Sequence, residues 1–257
     1  MRNLRIRVAY DGTCFYGWQR QDGFLSVQEA LEDAIEATCG QRVNVYGSGR
    51  TDTGVHALGQ VANFHIETPI ADYRLRGALN AHLPPGAVVK DVETCADGFH
   101  SQRSARGKRY LYVIQNTSQR PVHGRKLAHW TSRALDFEAM RRAAPAFVGE
   151  HDFSAMASSG SPRRSNVRRV QSLHLRRKKD TYWFVIQGNG FLYNMVRTIA
   201  GTLMEAGCGK LDRGGIEEIL ASKDRGQAGP TAPPEGLYLA RVLYGEKMAW
   251  DGRSAMG

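Results

Sequence analysis

The feature that most constrains the fold is the order in which the apolar spacing changes along the first hundred residues. Leu4, Ile6 and Val8 alternate with Arg5 and Arg7, which predicts a half-buried strand. Ser26 and Glu29 form a capping box, and Val27, Ala30, Leu31, Ala34 and Ile35 follow at helical spacing until Gly40 stops the helix. Residues 42–46 and 59–66 read as strands, the second with Ala62, Phe64 and Ile66 on one face. Residues 72–83 make a second helix through Leu75, Ala78, Leu79 and His82, ended by Pro84-Pro85-Gly86, and 87–92 is a further strand. Strand, helix, strand, strand, helix, strand is the split ferredoxin-like pattern.

A polar, basic segment, 101–107, marks the boundary between halves, so residues 1–105 and 106–257 are expected as two units. The second half repeats the order more loosely. It holds a strand at 109–114, a helix at 136–147 bent or ended near Pro145, and a Ser- and Arg-rich loop at 158–169. Strands at 170–175 and 182–187, helices at 192–205 and 216–220, a last strand at 237–243 and a loose tail follow. The expected fold is α+β, two ferredoxin-like halves with mostly antiparallel sheets, merged into one extended central sheet flanked by helices.

Charge points to the partner. The 257 residues carry 35 Lys+Arg against 25 Asp+Glu, a formal net charge of +10 that favours a polyanion. Basic residues cluster at Arg103-Arg106-Lys108-Arg109, Arg163-Arg164, Arg168-Arg169 and Arg176-Arg177-Lys178-Lys179. The four cysteines are scattered without Cys-x-x-Cys, and no His-Glu-x-x-His occurs, so neither a metal site nor a disulfide framework is expected. The N-terminus lacks a signal-peptide core and no run approaches membrane-spanning length, which predicts a cytoplasmic protein.

Between the strands at 42–46 and 59–66 lies Gly47-Ser48-Gly49-Arg50-Thr51-Asp52-Thr53-Gly54-Val55-His56-Ala57. An arginine and a carboxylate stand two positions apart in a glycine-rich loop, a placement suited to holding a reactive group against a ligand. The stretch fits neither a dinucleotide fingerprint, which needs glycine at position 52, nor a P-loop. Asp52-Thr53-Gly54 matches the Asp-Thr-Gly of aspartic proteases, which need a second carboxylate that only a homodimer could supply here. As an ordinary turn residue Asp52 would cap its own loop. His56 reads as a hydrogen-bonding support for the loop. Asp136 reads as a helix N-cap, and Glu150-His151-Asp152 as capping groups after the helix.

Taken whole, Gly49-Arg50-Thr51-Asp52-Thr53-Gly54-Val55-His56-Ala57 closely resembles the catalytic motif of the TruA family of tRNA pseudouridine synthases. That family more often has Ala or Lys where Thr53 stands. Gly17-Trp18-Gln19-Arg20-Gln21, Arg109-Tyr110-Leu111-Tyr112, Gly190 to Arg197 and Pro234-Glu235-Gly236-Leu237-Tyr238 extend the resemblance over nearly the whole chain. It implies the pseudouridine synthase fold and isomerisation of uridine at positions 38, 39 and 40 in the anticodon stem-loop of tRNA. No cofactor and no metal are implied. Asp52 would be the nucleophile or base on a flipped-out uridine, with Arg50 and Arg197 holding it ionised and Arg50 also able to fill the gap left by the base. Tyr110 would stack on the uracil, with Tyr112 a weaker candidate. Arg163, Arg164, Arg168 and Arg169 are candidate RNA contacts, and a homodimer gripping one tRNA is the implied assembly. The rivals are a non-catalytic RNA-binding protein, which leaves Arg50-Thr51-Asp52 unexplained, and an aspartic protease, which leaves the basic surface unexplained.

Overall fold

The computed structural model describes residues 1–158 and 165–245. The described residues pack as two units: Met1–Arg106 together with 239–245, and those within Gly107–Tyr238. Among the described residues, ten strands and five α-helices make an α+β protein whose strand pairs are mostly antiparallel.

In the first unit, β1 (Arg2–Tyr10) lies between β4 (Ala87–Cys95) and β3 (His56–Ile66), antiparallel to both. The two-residue β2 (Tyr46–Gly47) pairs with Asn63 and Ala62 of β3. The order β4-β1-β3, with β2 on the far edge of β3, is the ferredoxin-like arrangement that the sequence pattern predicts. Helices α1 (Val27–Cys39) and α2 (Asp72–His82) complete it. Ser26 caps α1 by accepting the Glu29 N–H, as its capping-box spacing requires.

Leu4 and Ile6 face Phe64 and Ala62 across the β1–β3 ladder. With Leu31 and Ile35 of α1 and Leu75 and Leu79 of α2 they are fully buried. Each large aliphatic side chain buried in this way contributes about 1.5–3 kcal/mol. The other face of β1 differs from expectation. Arg5 is 6% exposed. It pairs with Glu93 of β4, while its guanidinium lies 5.1 Å from the Phe99 ring centroid. The residues after β4 fold back over this face. Asn3 Nδ2 donates to Phe99 O (2.9 Å), and Ser101 N–H donates to Asn63 Oδ1 (2.9 Å). Alternation marks Arg5 as outward-facing but does not show that the outward face is covered.

The strand expected at 42–46 shortens to β2 for a visible reason. The Val45 N–H donates to the carboxylate of Glu32 (3.0 Å) rather than to a strand. Arg42 is turned toward Asp33 and Glu36.

In the second unit β5 (Ala105–Asn116) pairs with β9 (Thr181–Gly188), β9 with β8 (Val167–Lys178), and β8 with β7 (Gly149–Asp152), all antiparallel. The three-residue β6 (His129–Thr131) adds in parallel to β5. Helix α3 (Phe137–Ala143) has Asp136 as its N-cap and passes at Ala144 into a 3-10 turn containing Pro145. Helix α4 (Met195–Gly207) starts three residues later than its apolar stripe, because Asn194 stands in the left-handed conformation at φ 60°. Helix α5 (Arg213–Ser222) follows. The last strand, β10 (Leu237–Tyr244), belongs from Leu239 onward to the first unit, where it lies beside β3. Glu150-His151-Asp152, expected as capping residues, forms β7, though Asp152 does cap the next turn through Ser154.

Candidate active site

The 47–57 loop of the first unit is fastened by its backbone and by groups that never reach solvent. Thr51 is held twice: its carbonyl accepts the Trp18 N–H (3.0 Å), and its hydroxyl meets that of Tyr10 at 2.8 Å. Burial pushes the Tyr10 phenol up to about 12, so it stays protonated and keeps that bond across the working pH range. The Asp52 carbonyl accepts the Val55 N–H (3.0 Å), and the Gly54 N–H donates to Gly12 O (3.1 Å). On the upstream side Ser48 Oγ donates to Gln60 Oε1 (2.6 Å), and Gln60 Nε2 donates to Gly49 O (2.8 Å). Ser48, Gln60 and Thr51 are buried, Arg50 is exposed and Asp52 is half-buried. The main chain is therefore immobilised, and a carboxylate and a guanidinium project from it.

Two glycines outside the motif make this packing feasible. A Cβ at Gly12 would lie 2.1 Å from Val55 O, and one at Gly17 would lie 2.7 Å from Thr51 O. Only hydrogen side chains let segment 11–18 press this closely against the loop. His56 plays the supporting role its position suggests. It is buried, and its Nδ1 accepts the Gly12 N–H at 3.2 Å while Asp11 Oδ1 lies at the same distance.

In the second unit Tyr110 is 9% exposed on β5, and its ring meets Phe191 edge-on at 5.2 Å between centroids. Tyr112, two positions along the same face, is fully buried and donates to Pro233 O (2.9 Å). Lys108 shares that face, and desolvation lowers its pKa. Arg197, on the first turn of α4, is half-buried. Its Nε donates to Ala232 O (2.6 Å) and its Nη1 to Asn194 Oδ1 (2.9 Å). Arg50 and Asp52 thus share one loop of the first unit, and Tyr110 and Arg197 belong to β5 and α4 of the second.

Of the RNA-contact arginines, Arg163 and Arg164 lie outside the described residues. Arg168 Nη1 donates to the carbonyls of Ser165 (3.0 Å) and Val167 (2.7 Å), whereas Arg169 is exposed on β8. Among the described residues no three His, Cys, Asp or Glu side chains gather as metal ligands, and no helix is long and apolar enough to cross a membrane.

Sequence reading gave no supporting role to Tyr10, Gly12 or Gly17, nor to Ala232, whose carbonyl receives Arg197. The available signal was Gly12 and Gly17 standing close together in a loop otherwise rich in aromatic and polar side chains.

The family model described as tRNA pseudouridine synthase matches residues 6–102 and 143–245. The chain belongs to this family of isomerases, which convert uridine in tRNA to pseudouridine. It is 46% identical over 244 residues to the tRNA pseudouridine synthase A of Acetivibrio thermocellus, covering 95% of this chain and all of that one. The enzyme of the same name from Thermoanaerobacter pseudethanolicus is also 46% identical, with the same coverage. That from Parvibaculum lavamentivorans is 42% identical over 245 residues, again covering 95% and 100%.

Proposed function

We propose that this enzyme isomerises uridine at positions 38, 39 and 40 in the anticodon stem-loop of tRNA, with Asp52 acting on a flipped-out nucleotide. The observation that carries this reading is the clamped loop. Thr51 and the Asp52 carbonyl are fixed by hydrogen bonds while the Asp52 side chain stays half-buried at the surface. A loop that only turned the chain would not need buried tyrosine, glutamine and histidine supports.

The target base must leave its stack before a side chain can reach the glycosidic bond. The N1–C1′ bond then breaks and a C5–C1′ bond forms, while the proton leaves C5 and N1 gains one. Atoms and oxidation state balance within the nucleotide, so the reaction calls for no redox partner and no energy input. Asp52 serves either as the nucleophile that takes C1′ as an ester or as the base that removes the C2′ proton to form a glycal. Arg50 and Arg197 keep the carboxylate ionised, since neighbouring positive charge favours its anionic form. Arg50, exposed on the loop, also occupies the space the base vacates. Tyr110 stacks on the uracil while the base turns.

The basic surface recruits the RNA through its phosphates, with Arg163, Arg164, Arg168 and Arg169 among the contacts. The enzyme works in the cytoplasm as a homodimer, one subunit gripping the tRNA body while the other's Asp52 acts on the anticodon arm. The test is to incubate unmodified tRNA with the protein and map pseudouridine by carbodiimide adducts and primer extension. Stops assigned to positions 38–40 are expected. Product confined to another arm of the tRNA would overturn the site assignment.

A further inference from the structure

The segment Ala232–Gly236 runs as a strap between α4 and β5, and its first two residues hold two side chains of the family motifs. At one end the strap and Arg197 exchange hydrogen bonds. Arg197 Nε donates to Ala232 O (2.6 Å), and the Ala232 N–H donates to Arg197 O (3.1 Å). Together with the Nη1 bond to Asn194 Oδ1 (2.9 Å), this sets the plane of the guanidinium. At the next residue the Tyr112 hydroxyl donates to Pro233 O (2.9 Å), beside the carbonyl that receives Arg197. Gly236 closes the strap onto the same ring, because a Cβ there would lie 2.7 Å from Tyr112 Cζ.

Tyr112 is fully buried, and burial, reinforced by the negative charge of Glu235, pushes its phenol well above the usual tyrosine range. Its hydroxyl is therefore a permanent donor. A group that must give up and regain a proton during turnover would not be placed there.

We propose that Tyr112 is a positioning residue: by anchoring Pro233 it fixes the strap, and the strap aims the Arg197 guanidinium. The inference rests on the reading of Arg197 as a catalytic residue. It assigns to the second tyrosine of the Arg-Tyr-x-Tyr stretch a role distinct from stacking and from proton transfer. The buried phenol acts on the reaction only through Arg197.

The test is a double-mutant cycle in the full-length enzyme, read as single-turnover rate and tRNA affinity. Tyr112→Phe keeps the ring and removes the donor. The single-turnover rate should fall about tenfold, between no effect and the roughly hundredfold loss of a 1 Å misplacement. The tRNA Kd should stay within about twofold of wild type. Arg197→Lys removes the Nε–H that reaches Ala232, so the strap loses its hold on the charge. In that background Tyr112→Phe should change the rate no further.

If Tyr112→Phe turns over at the wild-type rate, or if the two losses multiply in the double variant, the positioning role is wrong while the Arg197 reading stands. If Arg197→Lys alone is at the wild-type rate, the Arg197 reading itself fails and this inference fails with it. Should Tyr112→Phe not fold, Gly236→Ala gives the second entry to the cycle. It leaves the hydroxyl in place and displaces the strap, and the same silence in the Arg197→Lys background is expected.

Discussion

Gly17→Ala examines how the loop carrying Asp52 is held. Gly17 has φ +75°, and a Cβ there would stand 2.7 Å from Thr51 O and 3.3 Å from the Asp52 carbonyl carbon. Two costs follow. The left-handed conformation costs an L residue roughly 1–2 kcal/mol. Forcing a methyl into a packed site adds about 1–3 kcal/mol. Gly23, six residues on, separates the two, because it has φ +81° and nothing within 4 Å of a built Cβ. Gly23→Ala should therefore destabilise by about 1–2 kcal/mol, and Gly17→Ala by about 2–5 kcal/mol. The assay is urea unfolding by linear extrapolation for both variants, with single-turnover rates measured on the folded enzymes.

Only Gly17→Ala pushes on the backbone between Thr51 and Thr53. A displacement near 1 Å there should cost on the order of a hundredfold in rate, with Gly23→Ala close to wild type. Equal stability losses in the two variants, or an unimpaired rate for Gly17→Ala, would refute the claim that this contact sets the position of Asp52.

Two further outcomes follow from particular residues. Burial lowers the pKa of His129, partly countered by the carboxylate of Glu235. A folded-state value below the unfolded one means the unfolded chain binds more protons as pH falls below about 6.5, so stability is lost through that window. His129→Gln should flatten the stability curve between about pH 6.5 and 5 in urea titrations, and an unchanged slope would show that His129 does not contribute. Arg169 is exposed on β8 whereas Arg168 Nη1 is already engaged with backbone carbonyls. Arg169→Gln should weaken tRNA binding and lower its salt slope by about one unit in a filter-binding series. An unaltered slope would take Arg169 out of the RNA path.

Much of the fold was legible because local chemistry and tertiary packing agree. Ser26 with Glu29, Asp136 and Pro145 all do in space what their spacing announces. What was not legible depended on partners far away in the chain. β6 and β7 are three- and four-residue strands of polar and aromatic side chains, given strand geometry by their neighbours rather than by period. The placement of β10 beside β3 joins segments separated by most of the sequence. Arg5 reads as a solvent-facing residue because alternation cannot show that Phe99 and the chain around it cover that face.

The candidate site divides in the same way. Arg50, Asp52, Tyr110 and Arg197 stand in the strings that carry the family resemblance. Their supports, Gly12 and Gly17 against the loop and the strap against Arg197, are defined by contact distances that no spacing encodes.

The central claim is that Asp52 performs the chemistry, and release of tritium from tRNA labelled at uridine C5 tests it most directly. Exchange of the C5 hydrogen is obligatory when the sugar migrates to that carbon. Wild-type enzyme should release one label for each pseudouridine formed. Asp52→Asn keeps the Asp52 carbonyl that receives Val55, so it should bind tRNA with an affinity close to wild type yet release nothing above background. Release by Asp52→Asn near the wild-type rate would contradict the account, because an amide at that position can serve as neither nucleophile nor base.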